Sequence, residues 1–230
     1  MAIRPIFIPM FDRVGVMEKP VEFKWHSGLA PSQKKKSILE LHLKAADLGV
    51  SRVLEISSKS EASLGINLSA FNLTITTRKY ARTLTVETAF QGSKVFEKGG
   101  PYTDLFGLDS HSAKKDIRLQ ESGNLIGFKF FAFKFPLVPR TFFYDWLYIN
   151  ALMQHENLRN ELSEYDGFSD IEFNPKKSIN CQAHAVALYL SLKVNNLLKQ
   201  SLKSPDAFLY NCREHYENQS RNVAVQASIF

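Results

Sequence analysis

The stretch Glu87-Thr88-Ala89-Phe90-Gln91-Gly92-Ser93-Lys94-Val95-Phe96 carries polar residues at i, i+4 and i+7. On a 3.6-residue repeat, this spacing gathers Glu87, Gln91 and Lys94 into a sector of about 60°. Val86, Ala89, Phe90 and Phe96, with Ser93, form the neighbouring stripe. The pattern predicts a helix with an acid, an amide and a base along the edge of its buried face, where a pocket can use them. Upstream stands Leu68-Ser69-Ala70-Phe71-Asn72, and then the alternating Leu73-Thr74-Ile75-Thr76. Residues 73–77 and 83–86 bracket Arg78-Lys79-Tyr80-Ala81-Arg82 and predict a hairpin that leads into the helix.

Before this block, residues 3–8 and 21–25 read as short strands. Ile38, Leu41, Ala45 and Leu48 predict a helix over 32–48, stopped by Gly49. Residues 52–56 read as a further strand, and Ser60 with Glu61 as the start of a helical turn. After Gly99-Gly100-Pro101 comes a polar, loop-rich stretch with one helical segment near Ala113. Residues 128–135 read as a single strand with a phase slip that suits a bulge. Helices are expected over 141–154, 157–165, 180–199 and 205–216, and a frayed tail from 218.

The chain of 230 residues, 44% hydrophobic, is large enough for one substantial core. It holds no apolar run of about 18 residues, so no membrane span is expected. The N-terminus, with Pro5 and Pro9 inside its apolar stretch, does not read as a signal peptide. Cys181 and Cys212 lack metal-ligand spacing and read as free thiols of a cytoplasmic protein. The six histidines are scattered without metal spacing. A net charge of +6 and a pI near 9.2 favour a polyanion, either nucleic acid or a pyrophosphate-bearing substrate.

Ser69 and Phe71, the hairpin, and Glu87, Gln91 and Lys94 together resemble the NADAR family, whose name joins NAD and ADP-ribose. The family pattern is an S-N-F element, a short hairpin, and a helix opening with E-H-Y-F-Q-x-x-K-F. Further on, Gln154-His155-Glu156-Asn157-Leu158-Arg159 resembles the family's Q-x-x-x-L-x-x-x-L segment, and Ile171-Glu172 its L-V-E. Asn180 and Leu188-Tyr189-Leu190 resemble its G-x-N-x-L-G-x-x-L-M ending. The matching blocks span residues 52–200. Length and N-terminal extension are most similar to the NADAR antitoxins associated with DarT toxins, which attach ADP-ribose to DNA bases. The chain departs from the pattern at Ala70, where the family has Asn. It also has Asn174-Pro175-Lys176-Lys177-Ser178 in place of a glycine-rich W-G loop.

The resemblance implies an α+β fold: a single YbiA-like domain, mostly helical, with a small antiparallel sheet and an N-terminal β/α extension. Residues 1–50 would be the extension packed on the core, 51–217 the NADAR domain and 218–230 the tail. It implies an N-glycosidase that cleaves the bond between a ribose anomeric carbon and nitrogen, without cofactor or metal. For the DarT-associated branch the implied substrate is ADP-ribose on guanine in single-stranded DNA, with free ADP-ribose as product and a DarT-like toxin as functional partner. YbiA-like members imply phosphorylated ribosylamino riboflavin intermediates instead. A third possibility is an antitoxin that binds modified DNA or the toxin without catalysis.

Each site residue has a plainer role beside the implied one. Glu87 either serves the helix dipole in solvent or faces the anomeric carbon. Lys94 and Lys59 are either exposed lysines or contacts to phosphate and ribose. Gln91 either bonds nearby backbone or holds ribose hydroxyls with Asn72 and Asn180; Asn180 alternatively caps the last long helix. Ser69 belongs to the ligand-binding element, and Phe71 is half core and half pocket wall. Trp146 lies among Phe142, Phe143, Leu147 and Ile149, as core or as a stacking platform. Asp145 in the same apolar surround needs a partner if buried, which makes it a second acid candidate.

Overall fold

In the computed structural model, which describes residues 1–219 apart from 29, 78 and 177, the chain opens with a hairpin. Strands β1 (Ala2–Pro9) and β2 (Val16–Phe23) pair from Ala2↔Phe23 to Pro9↔Val16. The second strand begins earlier than its sequence pattern indicates, because every residue of β1 finds a partner. Pro20 is tolerated there since β2 is the sheet edge. Helix α1 (Pro31–Asp47) starts on a proline and lays Ile38, Leu41 and Ala45 against Ile6, Val21 and Phe23. Gly49, at φ +85°, turns the chain away from the helix. Leu48, which the spacing assigned to the apolar stripe, is 44% exposed because the helix has already ended.

Strand β3 (Val53–Glu55) and the short α2 (Ser63–Asn67) lead to the hairpin of β4 (Thr74–Thr76) and β5 (Thr83–Thr85). The hairpin runs straight into α3 (Val86–Gly92), whose first turn is capped by Thr85 Oγ1 accepting from Thr88 N. The expected helix through Phe96 stops short, and Lys94–Phe96 form strand β6. Two features cause the break. A Cβ at Gly92 would fall 2.5 Å from the Phe106 ring, so the chain there lies flush against that side chain. The next carbonyl, Ser93 O, is taken by Lys129 N at 2.7 Å, which starts a sheet rather than another helical turn.

After a 3-10 turn at Thr103–Gly107, the polar stretch holds two short helices, α4 (Ser110–Lys114) and α5 (Arg118–Glu121). Residues 128–135 are not one bulged strand. β7 (Leu125–Phe130) and β8 (Phe133–Pro136) form a hairpin with Phe130 opposite Phe133. Phe131 takes φ +51° in the two-residue turn, which produces the slip in the alternation. β6, β7 and β8 make an antiparallel sheet whose Phe128, Phe130 and Phe135 pack on Phe143.

Next come α6 (Phe142–Leu152), α7 (Glu156–Glu161), strand β9 (Gly167–Ser169) and α8 (Gln182–Val194). Asn196, at φ +58°, separates α8 from α9 (Leu198–Ser201), and Cys212 separates α10 (Pro205–Asn211) from α11 (Arg213–Asn218). Both had read as unbroken helices. α6 and α8 are buried almost all round and form the centre of the main core, as expected for helices apolar on every face.

The second sheet has the order β2-β1-β9-β3, antiparallel except for the β3–β9 pair. Successive side chains of β1 point to opposite faces. Ile6 therefore packs with α1, and Phe7 joins the main core with Phe168. The chain is a single α+β domain with its N-terminal β/α segment built into this sheet. The expected tail begins at 218; residues 220–230 lie outside the described residues, and Gln219 is buried. Among the described residues no helix is long and apolar enough to cross a membrane.

Candidate active site

Where β5 gives way to α3, the first free N–H groups of the helix are taken up from the side. Val86 N donates to Leu73 O, and Glu87 N donates to Ala70 O, both at 2.9 Å. The turn at residues 69–72 is thereby fixed against the start of α3. Gln182, at the start of α8, clamps the same turn from behind. Its Oε1 accepts from Ala70 N at 2.7 Å and its Nε2 donates to Ile56 O at 2.6 Å.

These elements enclose a cleft of about 780 Å³, within the usual range for small-molecule sites. One wall is the loop Ser57, Ser58 and Lys59 with the turn of Ser69, Ala70, Phe71 and Asn72. A second is Glu87, Phe90 and Gln91 of α3, with Tyr144 of α6 at their side. The third is α4, through Ser110, His111 and Lys114, and the fourth is the loop from Asp170 to Asn180. Of the ten residues singled out from sequence, Lys59, Ser69, Phe71, Asn72, Glu87, Gln91 and Asn180 line this one cleft.

Glu87 is 6% exposed, and its Oε1 accepts from Gln91 Nε2 at 2.8 Å. Lys114 Nζ lies 3.8 Å from the same oxygen and 5.1 Å above the Phe71 ring. The His111 ring packs on Phe71 as well, tilted by 55° with its centroid 4.9 Å away. Gln91 Oε1 and Asn180 Oδ1 are both shielded from solvent and have no hydrogen-bond partner among the described residues. Asn180 does not cap α8, whose N-cap is Cys181. Asn72 sits at the rim, its Nδ2 donating to Ile66 O. Ser69 Oγ is a distant acceptor of Phe71 N at 3.4 Å.

Lys94 does not line the cleft. It stands on β6, and its ammonium folds back to 5.0 Å from the Phe90 ring centroid. Burial pushes its pKa down to about 8, against the opposing pull of Glu87 and with a further push from Lys114. Tyr144, buried beside Phe90, has its hydroxyl held far above its ordinary value by burial and by Glu87.

Asp145 and Trp146 are not brought to this cleft. Tyr144 is the residue of that turn of α6 that faces it, so its two successors point elsewhere. Asp145 is fully buried with His184 Nδ1 at 3.2 Å and receives the Tyr216 hydroxyl at 3.3 Å. It ties α6 to α8 and α11. Trp146 packs among Phe130, Phe133 and Phe135 and is core.

Several residues that sequence reading missed also border the cleft: Tyr144, Lys114, His111, Gln182 and Asp170. Lys114 entered the sequence reading only through the net charge, and His111 only as one of six scattered histidines. Asp170 follows the three-residue β9, which is too short to show a period. Behind it lies Glu55, 3% exposed, whose carboxylate accepts from Ser57 Oγ (2.6 Å), Ser169 Oγ (2.5 Å) and Ile171 N (2.9 Å).

The whole arrangement offers a carboxylate, an unpaired amide oxygen on each of two walls, cations at the rim and an aromatic face. A family model described as DarT1-associated NADAR antitoxin matches residues 2–222, which takes in the N-terminal sheet as well as every wall of the cleft. No curated protein matches the chain.

Proposed function

Because the chain belongs to the DarT1-associated NADAR antitoxins, we propose that it counters a DarT-like toxin as an N-glycosidase that removes ADP-ribose from guanine in DNA. The observation that carries this reading is the pair of shielded amide oxygens, Gln91 Oε1 and Asn180 Oδ1, beside a buried carboxylate. Buried acceptors left without donors cost about 1–3 kcal/mol each, so a ligand rich in hydroxyl donors is what completes them. Ribose is such a ligand, and Asn72 adds a further polar group at the rim.

Cleaving a ribosyl C–N bond builds positive charge on the sugar. A fixed carboxylate next to the anomeric carbon stabilises that state more than the ground state. Glu87 takes this role and accepts the proton of the attacking water. Gln91, bonded to it across one helical turn, holds its orientation. Lys59 and Lys114, both in the cleft lining, meet the pyrophosphate.

A second mechanism draws on Lys94, packed against the cleft residue Phe90 and within the field of Glu87, with its pKa pushed down to about 8. Part of it is neutral near pH 7.5 and able to capture a ring-opened sugar as a Schiff base. Borohydride added during turnover distinguishes the two. The hydrolytic route leaves no ADP-ribose on the protein, and the Schiff-base route traps an adduct that Lys94→Ala abolishes.

The substrate is tested by incubating the protein with single-stranded DNA bearing ADP-ribosylated guanine and, separately, with a ribosylaminopyrimidine phosphate. The DNA reading predicts release of free ADP-ribose from the first and negligible cleavage of the second. The opposite preference would assign the cleft to small metabolites, and binding without release would make the protein a non-catalytic antitoxin.

A further inference from the structure

We propose that Asp170 is the proton donor of the cleft, delivering its carboxyl proton to the nitrogen that leaves the sugar, with Glu55 as the buried charge that keeps that proton in place. This rests on the glycosidase reading and assigns the acid which that reading lacks. Asp145, the acid that sequence pointed to, is enclosed elsewhere, whereas Asp170 lines the cleft and is 8% exposed.

The hydrogen bonds around Asp170 divide its two oxygens. Oδ1 accepts from Glu172 N at 3.0 Å and Phe173 N at 3.2 Å, which fixes the carboxyl at the head of a turn. Among the described residues, Oδ2 is approached only by the Cys181 thiol at 3.8 Å. Glu55, by contrast, receives three close donors on its two oxygens. Burial raises the pKa of both carboxyls, but Glu55 has three donors within 2.9 Å spread over both oxygens, whereas the donors of Asp170 leave Oδ2 with only a long thiol contact. Glu55 therefore keeps the charge and Asp170 the proton. Burial, and then Glu55, push Asp170 up to about 8, near the range where an acid works best at neutral pH.

The other groups facing Asp170 leave this division in place. Glu172 in the same turn acts in the same sense as Glu55, and pairs outward with Lys34. Arg4 of β1 lies within its field and stays a cation, which opposes the shift without being one of its main causes. Tyr144 and Tyr148 of α6 are held in their neutral hydroxyl form, and Cys181 stands ahead of α8 with its Sγ 3.8 Å from Oδ2. His42 of α1 stands one residue behind, 2.8 Å from Ser169 Oγ, with its pKa pushed down to about 4 by burial.

The step balances. As the C1′–N bond breaks, its electron pair goes to nitrogen, which takes the Asp170 proton. A water oxygen bonds to C1′ and its proton passes to Glu87. Solvent then returns one proton from Glu87 to Asp170.

The experiment compares wild type with Asp170→Asn on two substrates, ADP-ribosylated guanine in single-stranded DNA and the 4-nitrophenyl glycoside of ADP-ribose, whose phenolate departs without a proton. The inference predicts a loss of about 100-fold or more on the amine-linked substrate and less than about tenfold on the nitrophenyl one. Equal activity of the variant on both, or an equal loss on both, overturns the acid role while the glycosidase reading stands. A wild-type protein that cleaves neither substrate overturns the glycosidase reading, and this inference with it. If Asp170→Asn does not fold, Glu55→Gln decides. It keeps the Asp170 carboxyl, and the alkaline limb of the pH–rate profile must move to lower pH. An unmoved limb contradicts the proposal.

Discussion

Glu87 occupies the first turn of a seven-residue helix, where a carboxylate normally serves the helix dipole and faces water. Here it is buried, and among the described residues its Oε1 meets an amide and a distant ammonium. Its neighbour Lys94 shows the cost of such a site. A lysine whose folded pKa is pushed down to about 8 sheds its proton between pH 8 and its ordinary value of 10.5 in the folded chain only. The unfolded chain then binds more protons, so stability rises with pH across that window. Lys94→Met is expected to unfold at a higher temperature than wild type at pH 7 and to lose this rise, as thermal melts from pH 7 to 10 will show. Asp170 has the opposite sign. Its folded pKa lies near 8, above the ordinary 3.8, so the folded chain holds the extra proton and stability falls as pH climbs from 4 to 8. Asp170→Asn removes that fall, and urea titrations at pH 5 and pH 8 should differ less in the variant than in wild type.

At the scale of elements, the i, i+4 relation of Glu87 and Gln91 was legible because one helical turn sets it. The placement of Lys94 was not. Its spacing fits a helix, yet a backbone bond from Lys129, distant in sequence, converts the segment to a strand. The aromatic run at 128–135 misled in the same way, since a bulge and a tight turn interrupt alternation alike. The three-residue β9 gave no signal at all, although it joins the two halves of its sheet. Close backbone packing also leaves little trace in sequence. Gly65 of α2 lies under β3, so a Cβ there would meet Glu55 O at 2.0 Å. Gly65→Ala should lower stability by about 1–3 kcal/mol in urea unfolding, with greater loss of activity than of fold, because the strand it displaces carries Glu55. Gln182→Ala leaves Ala70 N and Ile56 O without their partner and should cost about 1–3 kcal/mol by the same measurement.

Across the whole molecule, two helices apolar on every face, α6 and α8, could be placed as core from composition but not oriented. That is why Asp145 and Trp146 looked available to a pocket, and why Tyr144, one position away, did not stand out. The N-terminal segment read as an extension, yet it is threaded through the sheet that supports the cleft. β1 pairs with β9 at Phe7↔Phe168, and His42 of α1 bonds Ser169, which in turn bonds Glu55. Removing residues 1–50 would uncover Phe168 and an edge of β9, and strip Ser169 of its histidine. A chain beginning at residue 51 is therefore expected to lose cooperative unfolding, with calorimetry giving no sharp transition; a sharp melt near that of the full chain would show the segment to be dispensable.

The most direct trial is chromatographic detection of free ADP-ribose from DNA carrying ADP-ribosylated guanine, with wild type beside Glu87→Gln. The carboxylate role predicts stoichiometric release and restored guanine with wild type. For the variant it predicts retained binding and turnover slower by about 100-fold or more. Equal release by both proteins would contradict it.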